Sequence, residues 1–114
     1  MIIVRGISLR LKAKGYQVCC AGDGVAAISM ARKEKPDLIL LDIGLPAGDG
    51  FVFMERIRSL YDLVLTPVIV IGGMDPETTM QRALHAGARA YFLKPFDSDK
   101  LMTAIEGALT IPDS

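Results

Sequence analysis

Apolar positions along this chain alternate between two kinds of pattern. LILL at Leu38–Leu41, VIVI at Val68–Ile71 and AYFL at Ala90–Leu93 are continuous short runs, as expected of strands covered on both faces. Tyr16–Ala21 (YQVCCA) is a further β-prone run, closed by the turn residues Gly22-Asp23-Gly24. Between these runs the apolar spacing becomes helical. Val25–Lys35 carries Val25, Ile28 and Ala31 on one side and is stopped by Pro36. Phe51–Tyr61 places Met54, Ile57 and Tyr61 on one stripe. Asp75-Pro76-Glu77 opens a third helix, with the aspartate as N-cap and proline at the first helical position. Its expected inner face is Met80, Ala83, Leu84 and Gly87. Asp97 can cap a last helix, whose stripe Leu101, Ala104, Ile105, Ala108 and Leu109 keeps the full amphipathic spacing.

Strands that alternate with helices predict a parallel sheet between helical layers, a doubly wound α/β domain. Sites in such folds form beyond the carboxyl ends of the strands. Asp42 follows LILL, Gly72 follows VIVI and Lys94 follows AYFL. A carboxylate at the tip of a buried run is costly unless water or a site receives it. The topology therefore directs Asp42 and Lys94 to one crevice.

Composition narrows the function classes. The 114 residues are 51% apolar, which suits one domain with a real core, residues 1–114. The formal net charge is zero. That argues against an electrostatic grip on nucleic acid or an anionic membrane. No apolar run is long enough to span a bilayer. The opening MIIVRGISLRLK has neither a long apolar segment nor a small-residue cleavage site, so no secretory signal is expected. The neighbouring Cys19 and Cys20 read as reduced core thiols, which suits a cytoplasmic protein. His85 is expected to face solvent.

KPDLILLDIGLPAGDGF, TPVIVIGG, ALHAGARAYFLKPF and the closing helix together resemble the receiver domain of bacterial two-component response regulators. The strongest element is the D-x-x-L-P-x-x-D-G pattern on Asp42, Leu45, Pro46, Asp49 and Gly50, with Lys94-Pro95 downstream. The resemblance implies a flavodoxin-like sheet and phosphorelay signalling, with a sensor histidine kinase or phosphotransfer protein as partner. It implies that Asp42 accepts a phosphoryl group and that Lys94 pairs first with the carboxylate and then with the phosphoryl oxygens. The backbone carbonyl of Gly44 matches a Mg²⁺ ligand beside Asp42. A cis peptide before Pro95 would aim Lys94. Tyr91 matches the family's aromatic switch position, and a half-exposed edge-strand tyrosine is the equal alternative. The partner-binding face would comprise Thr78–Gly87, Arg89–Leu93 and the Asp97–Leu109 helix.

Two departures from the family pattern bear on function. Where the family has a serine or threonine after its fourth strand, this chain has Gly72, which offers no hydroxyl. The family's first strand ends in an acidic pair that holds Mg²⁺, and no acidic residue precedes Asp23 here. Asp42, one carbonyl and water are few ligands for an octahedral ion, so Mg²⁺ binding should be weak. The favoured parse aligns residues 1–14 with the family's first helix, with Val4, Ile7 and Leu11 on one stripe. The first strand would then be missing or vestigial, and the empty slot would favour a homo-oligomer. In the rival parse Met1–Val4 is a stub strand, Arg5-Gly6 a turn and Ser8 an N-cap. The expected function is a phosphorelay receiver with a degraded metal and switch site, not an enzyme. The alternative is a pseudo-receiver, a protein-interaction module read without phosphorylation. A phosphohydrolase on a similar sheet would want an acid where Gly44 stands, and no dinucleotide-binding G-x-G-x-x-G follows a strand.

Overall fold

A computed structural model describes residues 2–3, 13–19, 24–42, 49–72, 76–93 and 97–109. Among them, the strands are β1 (Ile2–Ile3), β2 (Val18–Cys19), β3 (Leu38–Asp42), β4 (Val68–Gly72) and β5 (Ala90–Leu93). The helices are α1 (Gly24–Glu34), α2 (Asp49–Ser59), α3 (Pro76–His85) and α4 (Ser98–Leu109). The strands form one parallel sheet in the order β2-β1-β3-β4-β5.

The sheet's period of two sorts the apolar residues into two cores. Ile39, Val68 and Val70 face one way and pack with Ala27, Ile28 and Ala31 of α1, Phe53, Met54 and Ile57 of α2, and Ala83 of α3. Leu38, Leu40, Ile69 and Ile71 face the other way, against Leu101, Met102 and Ile105 of α4. Every residue of β4 is buried, which explains why VIVI shows no polar alternation. Each large side chain so removed from water contributes about 1.5–3 kcal/mol.

Local chemistry sets the ends of the elements. Asp97 caps α4 as expected: its carboxylate accepts from the Asp99 N–H at 2.8 Å and the Lys100 N–H at 3.3 Å. The sequence pattern put Gly87 on the inner face of a helix, but it is the left-handed residue that ends α3, at φ 104°. The Ala88 N–H donates to the Ala83 carbonyl at 3.0 Å and the Gly87 N–H to the Leu84 carbonyl at 3.1 Å. That pair of bonds is a Schellman termination. The Arg58 guanidinium adds a donor to the His85 carbonyl at 3.1 Å.

The expected helix over residues 1–14 is corrected at its start. Ile2 and Ile3 are strand, parallel to Val18–Cys19 on one side and to Leu38–Ile39 on the other. Two β-branched residues at the centre of the sheet satisfy both neighbours' backbones, which outweighs a helical stripe that has few residues to bury. The first strand is vestigial and not missing, so the empty slot that motivated a homo-oligomer is filled. Three stripe assignments also change. Tyr61 lies beyond α2 and is 98% exposed, and Met80 and Leu84 are exposed, leaving Ala83 as the buried residue of the expected inner face of α3. Cys19 is half-buried against the α1–α3 core, whereas Cys20 lies outside the described residues. His85 is exposed, as expected.

Candidate functional site

The carboxyl ends of β3, β4 and β5 lie side by side. Asp42 is in register with Ile71, and Ile71 with Phe92, while Gly72 is in register with Leu93. Asp42, Gly72 and Leu93 are thus the last residues of three adjacent parallel strands. Lys94 is the next residue after β5. This is the edge where an open α/β sheet carries its chemistry. Of the residues singled out from the sequence, Asp42 is brought to this edge by its backbone, and its carboxylate lies outside the described residues. Gly44 and the Lys94-Pro95 step lie outside them as well.

Gly72 and Tyr91 are described, and they meet. Tyr91 is in register with Val70, two residues short of Gly72 on the neighbouring strand. Its ring runs along the sheet face toward the strand ends and covers the α-carbon of Gly72. A β-carbon built on Gly72 would lie 3.1 Å from Cζ and 3.2 Å from Cε2 of that ring, and closer still to the hydroxyl oxygen. Residue 72 can therefore be only glycine while the ring stays there. The ring packs against the α1–α3 core. Its hydroxyl is buried and has no hydrogen-bond partner among the described residues. Burial pushes the phenol's pKa above the ordinary 10.0, so the group is a neutral donor at physiological pH. Reading the sequence alone flagged both residues but treated Gly72 only as a loss. The strand register that joins them is a tertiary fact.

The donor chemistry at this edge bears on a metal. β1 ends at Ile3, the chain continues Val4-Arg5-Gly6, and its first acidic residue is Asp23. The strand end that would deliver a carboxylate pair delivers none. One carboxylate and one carbonyl do not make the hard oxygen cage that Mg²⁺ requires. The residues present do not fit a complete Mg²⁺ site.

The model of the response regulator receiver domain family matches residues 1–106. Among solved structures, the receiver domain of the sensor histidine kinase PA1611 from Pseudomonas aeruginosa is 26% identical, with 96% of each chain covered and a TM-score of 0.84. That structure has a magnesium ion coordinated in its active site cleft. The receiver domain of NtrX from Brucella abortus is 27% identical over 97% of this chain and 98% of its own, with a TM-score of 0.81. The chemotaxis response regulator CheY4 of Vibrio cholerae is 29% identical over 95% of both chains, with a TM-score of 0.78. The fold is that of phosphorelay signalling modules, which are not typically enzymes. The chain belongs to the response regulator receiver domain family. No helix among the described residues is long and apolar enough to cross a membrane.

Proposed function

We propose that this chain acts as a receiver domain in a cytoplasmic phosphorelay, with Asp42 as a slow phosphoacceptor. The observation that carries the reading is the position of Asp42 as the last residue of β3, in line with Gly72 and with the β5 end that leads into Lys94. In the proposed step, an Asp42 carboxylate oxygen attacks the phosphorus of a phosphohistidine on a histidine kinase or phosphotransfer protein. The new O–P bond forms as the P–N bond breaks, and the imidazole leaves with the electron pair. Such transfer depends on alignment and on neutralising the equatorial oxygens. Lys94 is assigned the cation. With no acidic pair after β1 to help hold Mg²⁺ at the Gly44 carbonyl, the step should be slow. The partner face is assigned to α3, β5 and α4. In support, Met80 and Leu84 stand one turn apart on α3 and are exposed, as is Leu93 on β5.

Intact-mass measurement after treatment with acetyl phosphate and Mg²⁺ tests this, with Asp42→Asn as control. Slow, partial and Asp42-dependent labelling is expected. Rapid, near-complete labelling would sink the degraded-site reading. No labelling at all would favour the second reading, a pseudo-receiver recognised without phosphorylation, which the lack of any acid before Asp23 supports.

A further inference from the structure

A buried hydroxyl without a partner is uncommon in folded proteins, and each instance calls for a physical reason. Among the described residues the Tyr91 hydroxyl is such a group, and three features of its surroundings point the same way. First, the oxygen sits at the carboxyl end of the sheet, over the last residue of β4. Secondly, the place it occupies is open only because residue 72 has no side chain. Thirdly, the neighbouring strand ends at Asp42, one register level below Gly72. From strand spacing and rise, the two α-carbons are roughly 6 Å apart. A hydroxyl here is inside the reach of an anion bound at the strand ends.

We propose that Tyr91 is an anion-binding residue: its phenolic O–H, reaching across from β5, donates a hydrogen bond to a phosphoryl oxygen carried at Asp42. Residue 72 supplies no hydroxyl, and the tyrosine supplies one from the next strand to nearly the same place. The glycine and the tyrosine are then two halves of one substitution. A phenol is protonated at physiological pH at its ordinary value, and burial disfavours its anion further. It can therefore approach a phosphoryl dianion without like-charge repulsion. A donor held in place before the anion arrives needs no reorganisation, which is what makes such groups effective. This assignment rests on Asp42 as the phosphoacceptor.

Beryllium fluoride, which mimics a phosphoryl group on a carboxylate, is the probe. Its affinity would be measured by ¹⁹F NMR on the full chain, with Mg²⁺ present, for wild type, Tyr91→Phe, Tyr91→Phe with Gly72→Ser, and Asp42→Asn. A hydrogen bond to a charged group predicts that Tyr91→Phe weakens binding by about tenfold to a hundredfold. The ring and its packing remain, so thermal stability should hold or rise. The ¹³Cζ resonance of Tyr91, identified by its loss in Tyr91→Phe, should move when the probe binds to wild type. Gly72→Ser in the Tyr91→Phe background should restore most of the affinity, because removing the phenolic oxygen opens room for the serine. Equal affinity for wild type and Tyr91→Phe, or an unmoved Tyr91 resonance, would overturn the role of the hydroxyl and leave Asp42 as acceptor. A folded double variant that fails to recover binding would overturn it too. If wild type neither binds the probe nor takes label from acetyl phosphate, the acceptor reading itself fails and this assignment falls with it.

Discussion

Adding one methyl group at the end of β4 is the sharpest test of the packing between Gly72 and Tyr91. Gly72 is not in the left-handed region, so Gly72→Ala carries no backbone strain and should gain about 0.4–1 kcal/mol through the unfolded chain. Against that, the new carbon would meet Tyr91 Cζ at 3.1 Å and Cε2 at 3.2 Å. Ordinary carbon contacts lie near 3.5–4.0 Å. β4 is buried throughout and flanked by strands on both sides, so the ring must yield. Forcing it within the packed face costs about 1–3 kcal/mol. Swinging it into water instead exposes on the order of 100 Å² of aromatic surface, or about 2.5 kcal/mol. Both routes leave a net loss of about 1–2 kcal/mol. In a Tyr91→Phe background the closest atom is gone, and a shift of a few tenths of an ångström accommodates the methyl. The same substitution should then be close to neutral. Urea unfolding of the four proteins, followed by circular dichroism, gives the coupling directly. About 1–2 kcal/mol is expected, above the additivity error of about 0.3–0.5 kcal/mol for independent sites. Strictly additive effects would mean that the ring does not depend on the missing side chain, and the account of the site would be wrong.

Two further perturbations follow from the same structure. Gly87→Ala puts a side chain on a residue at φ 104° that closes α3, and should lower stability by about 1–2 kcal/mol by chemical denaturation. Tyr91 gives a pH signature whose sign is fixed: its folded pKa is raised above the ordinary 10.0 by burial, so the unfolded chain releases that proton first. Stability from this group is complete below the unfolded value and declines as pH rises through the folded one. Tyr91→Phe should therefore keep a larger share of its stability than wild type under alkaline conditions, and parallel alkaline melting curves would refute this.

The helices and the long strands were legible because their apolar periods are unambiguous. Val68–Ile71 could only be a strand buried on both faces, and Asp97 with the stripe after it marked α4 almost to the residue. What the sequence concealed depends on contacts between distant segments. Ile2 and Ile3 carry no periodic signal in two residues, so the stub strand stood only as the rival parse, and it is the backbones of β2 and β3 on either side that decide for it. Met80 and Leu84 keep helical spacing, yet only Ala83 of that face is buried, because a period reports a stripe and not what covers it. Tyr61 matched the α2 stripe by spacing, but the helix ends at Ser59 and the ring is in solvent. At the site, Asp42 was legible from its place at the end of a buried run. The meeting of Tyr91 with Gly72 was not, because it requires the β4–β5 register, which no local pattern encodes.

The correction at the N-terminus can be tested on its own, since the two parses differ most at residue 3. Ile3 is in register with Cys19 on β2 and with Ile39 on β3, a central position where both edges of the strand are in use. Proline there removes a ladder donor and is tolerated in sheets only at edges or bulges. A loss of about 3 kcal/mol or more is expected for Ile3→Pro, a large fraction of the roughly 5–15 kcal/mol of a typical domain. In the opening turn of a helix over residues 1–14, the same proline would be nearly neutral, because the first helical N–H groups have no intrahelical partner. Urea unfolding of wild type and Ile3→Pro therefore separates the two parses without any reference to function. An unchanged midpoint would refute β1 and reinstate the empty slot. Light scattering behind size exclusion then reads the consequence: with β1 in place, the sheet itself supplies no reason for a second copy of the chain. If the proline opens the slot between β2 and β3, unpaired backbone groups on both strands become available for association. The variant should then unfold or self-associate as its concentration rises, whereas wild type should elute as one species across the same range.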